Sequence, residues 1–153
     1  MLPHTTPKHY ITGMTALNIP ELEGSYGDWH FQEAFIGRRN LKPKIFLAGE
    51  GETWNTNPIL ADFGIYECSD ILRQCGIEIP LNEKVYAANH YRAIIDMLYK
   101  SVKQKNYPYH LDLDSWTDNP KQKTLLTKLI RSLKPYVSSD EWQILKKWLL
   151  QQI

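Results

Sequence analysis

The order of patterns along the chain predicts an α+β fold, a small N-terminal antiparallel sheet packed on three or four C-terminal helices. Two observations carry this expectation. Before residue 82 the apolar residues come in short runs cut by proline and glycine, with connections too brief for helical crossovers. After residue 82, apolar residues recur every three or four positions in stretches that begin at capping residues. The expected organisation is one domain over 1–153: a flexible arm at 1–10, sheet and loops at 11–81, and a helical part at 82–153.

Taken in order, the arm is polar and proline-containing, with His4 and His9 expected in solvent. Ile11 to Ile19 reads as a first strand, ended by Pro20, which cannot donate to a ladder. A glycine-bearing acidic turn (Glu21, Glu23, Gly24, Gly27) leads to an alternating strand over Trp29 to Ile36. Lys44 to Ala48 is the third strand. Loop chemistry follows from Gly49 to Pro58, with Trp54 expected as a lid over the core. Ser69 caps a short helix that Gly76 closes in the left-handed conformation. A long helix is expected from Glu83 to Lys105 behind Asn82, its stripe made by Ala88, Tyr91, Ile94, Ile95, Leu98 and Val102. Asn119 and Pro120 open the next helix, with Leu125, Leu126, Leu129, Ile130 and Leu133 as its core face. Ser138 and Glu141 form a capping box for the last, whose buried face is Trp142, Leu145, Trp148 and Leu149.

Charge is divided along the chain. Residues 1–98 carry 8 Lys/Arg against 12 Asp/Glu, a net of −4, and residues 99–153 carry 10 against 5, a net of +5. Such a split points to a basic face on the C-terminal part or to complementarity between the halves. No run approaches the roughly 18 apolar residues of a membrane span, and the N-terminus has no apolar leader, so a cytoplasmic protein is expected. Cys68 and Cys75 sit seven positions apart in the short helix. That is about 10 Å along its axis, too far for a disulfide, so two free thiols are expected.

Asp28 and His30 fall on one face of a strand, where they form an acid/base pair or hold a metal, or else Asp28 ties down the Gly27 turn while His30 donates to a buried carbonyl. His90 lies off the apolar stripe of the long helix and is the third member of such a centre if the fold brings it to them. Arg92 and Asp96, four apart, read as an ion pair on the helix surface. His110, Asp112 and Asp114 alternate in an acidic loop. The common nucleotide-binding, zinc-protease and hydrolase words are absent, and neither a cofactor nor a bound metal is expected. Lys121, Lys128, Arg131, Lys146 and Lys147 crowd onto the outer faces of the last two helices as a partner-binding platform. Those helices have the connection length of a helix-turn-helix, but Asp140 and Glu141 stand where base edges would be read. Sequence-specific DNA binding is therefore disfavoured, and RNA contact stays open.

Four words, Ala16 to Pro20 (ALNIP), Gly27 to His30 (GDWH), Asp62-Phe63-Gly64-Ile65 and the Asn89-His90-x-Arg92-Ala93-x-x-Asp96 helix, together resemble an uncharacterised family of small bacterial proteins. Its members look like companions of nucleotidyltransferase-type toxins in abortive-infection or toxin–antitoxin loci, and the similarity spans roughly residues 10–150. The resemblance implies a non-catalytic, antitoxin-like protein that neutralises a toxin by contact. The rival readings are a small metal-dependent or hydrolytic enzyme using Asp28, His30 and His90, and an RNA-binding accessory protein of a mobile element.

Overall fold

A computed structural model describes residues 2–20, 34–37, 42–117 and 119–152. The chain is α+β, as its patterning predicts. Its four short strands are β1 (His9–Ile11), β2 (Leu47–Gly49), β3 (Ile65–Glu67) and β4 (Tyr86–Ala88), in the spatial order β2-β1-β4-β3. β1 pairs antiparallel with β2, β3 pairs antiparallel with β4, and β1 runs parallel to β4, so the sheet is mixed. Helices α1 (Gly13–Leu17), α2 (Asn57–Leu60) and α3 (Ser69–Gln74) connect these strands. They are followed by α4 (His90–Lys103), α5 (Leu113–Trp116), α6 (Pro120–Arg131) and α7 (Ser139–Gln152).

The strands differ from those expected. Ile11 alone of the first predicted run completes a strand, and Gly13–Leu17 is helical. Apolar residues at 14, 16, 17 and 19 satisfy a helical spacing as well as an extended one, and a run this short cannot discriminate between them. The chain leaves β1 with the Thr12 N–H still bonded to the Phe46 carbonyl (2.8 Å), then turns at Gly13. Most of the predicted strand at 29–36 lies outside the described residues, and Ala34 and Phe35 are helical. Nor are residues 2–10 a flexible arm: the stretch ends inside β1 and its side chains are engaged. Tyr10 is completely buried, Thr5 accepts a hydrogen bond from the Tyr86 N–H (2.9 Å), and His9 meets Glu52 at 2.9 Å.

Caps were the clearest local signals, and several hold. Asn119 accepts from the Gln122 N–H at 3.0 Å, and Ser138 and Glu141 exchange bonds of 2.7 and 3.2 Å. α3 ends in a Schellman arrangement, with Gly76 at φ +94° and the Ile77 N–H on the Leu72 carbonyl. Ser69 does not cap α3; its hydroxyl accepts from the Val85 N–H (2.8 Å) and ties the helix to the strand beside it. The long helix begins at His90 rather than Glu83, because Tyr86–Ala88 is drawn into the sheet and Asn89 becomes the cap. Both cysteines are free, and burial pushes the Cys68 thiol up to about 12.

α4 is the spine of the molecule. It packs on α1 and β4 on one side and on α6 and α7 on the other, and Ala93, Ile94, Ile95, Leu98 and Val102 lie in a single core with residues from all of them. Trp148 is buried in that core, and its indole N–H reaches the Leu111 carbonyl at 3.0 Å. Leu126, Ile130 and Leu133 are buried as expected, whereas Leu125 is 41% exposed.

Candidate functional site

Because α4 is covered on two sides, more than its apolar stripe is buried. Arg92 is fully buried and Asp96 nearly so, which corrects the expected surface ion pair. The Arg92 guanidinium donates through Nε to Thr56 Oγ1 (3.1 Å) and Asp96 Oδ1 (3.4 Å). Nη1 donates to the carbonyls of Ala61 (3.0 Å) and Phe63 (2.6 Å), and Nη2 to Asn57 Oδ1 (3.1 Å). Asp96 accepts from Thr56 (2.5 Å) on Oδ1, and from Tyr10 (2.8 Å) and Thr12 (2.7 Å) on Oδ2. Each nitrogen of the guanidinium and each oxygen of the carboxylate thus has a partner within the protein, which is the condition for tolerating a buried pair. Burial first, and then the Asp96 charge, raise the Tyr10 hydroxyl well above its ordinary value, with Arg92 opposing them.

This network explains two of the sequence words. Gly64, at φ +75°, packs so closely on α4 that a Cβ there would fall 2.6 Å from Asn89 Oδ1 and 2.9 Å from Arg92 Cβ. The Asp62-Phe63-Gly64-Ile65 turn and the Asn89-to-Asp96 helix are therefore the two sides of one contact.

The next two turns of the same helix face open into a cleft of about 690 Å³. Asp96 and Lys100 line it from α4 and Gln104 from the residue that ends that helix, and Phe46, Trp54, Tyr107, Tyr109 and His110 are among the rest of the lining. Trp54, expected as a lid over the core, is a wall of this cleft. The Lys100 ammonium lies 5.7 Å from the Phe46 ring centroid and 5.8 Å from that of Trp54. The periodic placement of Asp96, Lys100 and Gln104 was visible in the sequence, but nothing local announced that Phe46 and Trp54 would face them.

Asp28 and His30 lie outside the described residues. His90 is buried in the first turn of α4, its Nε2 2.9 Å from the Ile19 carbonyl; a carbonyl only accepts, so Nε2 carries the proton there. Asp112 caps α5 through the Asp114 N–H, and Asp114 pairs with Lys123 at 2.7 Å. Among the described residues no group of three His, Cys, Asp or Glu side chains is placed to hold a metal ion, and no helix is long and apolar enough to cross a membrane.

The predicted platform residues Lys121, Lys128, Arg131, Lys146 and Lys147 are all exposed, and none has a carboxylate partner among the described residues. Other cations of this region are paired: Lys103 and Lys105 each reach Glu141 at 3.3 Å. At about 100° per residue, Lys121, Leu125, Lys128 and Arg131 share one face of α6, and Lys146, Lys147 and Leu150 share one face of α7. Leu150 is 64% exposed, so each helix presents a leucine among cations. Comparison with protein-family models, with curated proteins and with solved structures found no match to this chain.

Proposed function

We propose that the protein is a non-catalytic binding module that holds an acidic protein partner against the outer faces of α6 and α7, as an antitoxin-like neutraliser holds its toxin. The observation that carries this reading is the set of five exposed cations around Leu125 and Leu150 that have no carboxylate partner among the described residues. A face dominated by one sign of charge costs self-repulsion, and its benefit is the steering of an oppositely charged partner. The exposed leucines add the apolar contact that steering alone lacks, and a protein surface supplies both complements where a phosphate backbone supplies one. The resemblance to companions of nucleotidyltransferase-type toxins names the class of partner to try first.

The test is co-purification and association kinetics with a nucleotidyltransferase-like toxin encoded beside the gene, across a salt series. The triple variant Lys128→Glu, Arg131→Glu, Lys147→Glu should fold normally, since exposed substitutions cost within about 0.5 kcal/mol each. It should associate more slowly and lose most of the salt dependence of the on-rate. Unchanged association would place the interface elsewhere. Comparable, charge-dependent capture of single-stranded RNA would favour the accessory RNA-binding reading instead.

A further inference from the structure

We infer that the cleft between α4 and the Phe46–Trp54 wall is a binding site for a small planar aromatic anion. Its volume, about 690 Å³, falls in the range of roughly 300–1,000 Å³ over which proteins enclose small ligands. Its charge is unbalanced. Lys100 has no carboxylate partner among the described residues, only the two rings beside it. Asp96 stands one helical turn away on the same face, yet both its oxygens are already occupied by Tyr10, Thr12, Thr56 and Arg92. The carboxylate therefore offers a cationic ligand little, while the ammonium, facing no carboxylate among the described residues, is placed to bind an anion.

The rest of the lining selects the ligand's body. Phe46 and Trp54 supply aromatic faces on one side. Tyr109 stands 86% exposed at the cleft, its ring centroid 4.5 Å from that of Tyr107. A large aromatic left in water beside an apolar cleft is a group that gains contact area when a flat molecule enters. Flat apolar walls and one unpaired cation fit an aromatic ring bearing a carboxylate, or a nucleobase carrying a phosphate. The shared chemistry is a planar π-system with a single anionic group.

Two arms of one titration on the full chain separate these sources. One compares 2-naphthoate with neutral 2-naphthamide, the other adenosine 5′-monophosphate with adenosine, each followed by amide chemical shifts and calorimetry. In at least one arm the anion should bind about tenfold more tightly than its neutral analogue, the scale of one charge-assisted hydrogen bond. The shifts should map to the cleft. Lys100→Gln should abolish the discrimination and Lys100→Arg restore it. Tyr109→Ala, at a position too exposed to disturb folding, should weaken anion and neutral analogue alike. Absence of binding in both arms, equal affinity of anion and neutral analogue, or shifts confined to the outer faces of α6 and α7 would overturn the inference.

Discussion

Arg92 is the residue whose loss the fold should feel most. Arg92→Met removes the charge that Asp96 faces and leaves the Ala61 and Phe63 carbonyls and the Asn57 side chain without their donor. Breaking a buried pair from one side typically costs about 3–5 kcal/mol, because the surviving charge stays desolvated. Urea unfolding of Arg92→Met should show a loss of that order. Adding Asp96→Leu removes the stranded charge but also takes the acceptor from the Tyr10, Thr12 and Thr56 hydroxyls, so any recovery should be partial and should leave the cost of the orphaned 57–63 acceptors. A loss below about 1 kcal/mol for the single variant would mean that water reaches Asp96. The spacing of this pair was legible in the sequence and its burial was not. Arg92 and Asp96 flank the apolar stripe of α4, and flank becomes interior only because the sheet closes over it. That closure involves Tyr10, some eighty positions earlier, in a segment whose composition predicts a flexible arm.

At the scale of elements, what could be read locally was read best. A cap needs only its own three or four residues, so Asn119 and the Ser138–Glu141 box were visible without the fold. Strands of three residues carry too little pattern to stand out, and their partners decide them: Tyr86–Ala88 left the predicted helix because Ile11 and Ile65–Glu67 pair with it. The capping box also fixes a pH response. Burial alone would raise the Glu141 carboxyl, but the Ser138 N–H, the bonds from Lys103 and Lys105 and the Lys103 charge outweigh it, and its pKa is lowered from 4.5. A lowered native value means that the stabilisation is complete above the ordinary glutamate pKa and is lost as pH falls through the native one. Glu141→Gln keeps an acceptor for Ser138 and loses the charge. Its stability should lie below that of the native protein at neutral pH and converge with it in acid. Ser138→Ala should instead cost about 1 kcal/mol with the acid limb retained. Parallel stability–pH curves for native protein and Glu141→Gln would show that the two lysines contribute nothing through charge.

The molecule as a whole cannot be divided where its sequence changes character. The patterning shifts from strands and turns to helices near residue 82, and the charge changes sign near residue 98, yet α4 belongs to both sides. Its sheet-facing residues meet Tyr10, Ile11 and Ala16, while other positions on the same helix pack with Leu126, Ile130, Leu145 and Trp148 in one continuous core. β1 lies inside the sheet, bonded on both edges, so the first strand of the chain is held between β2 and β4. A fragment of residues 82–153 would expose the sheet side of α4 and leave Arg92 and Asp96 without Tyr10, Thr12 and Thr56. The full chain should therefore unfold in one step, with tryptophan fluorescence and far-ultraviolet circular dichroism giving coincident transitions in urea. The isolated fragment should keep some helix but show no cooperative transition, and removal of residues 2–12 from the full chain should have the same effect. A cooperative melt of the fragment would mean that α4, α6 and α7 form a bundle of their own, with the sheet attached as a separable unit.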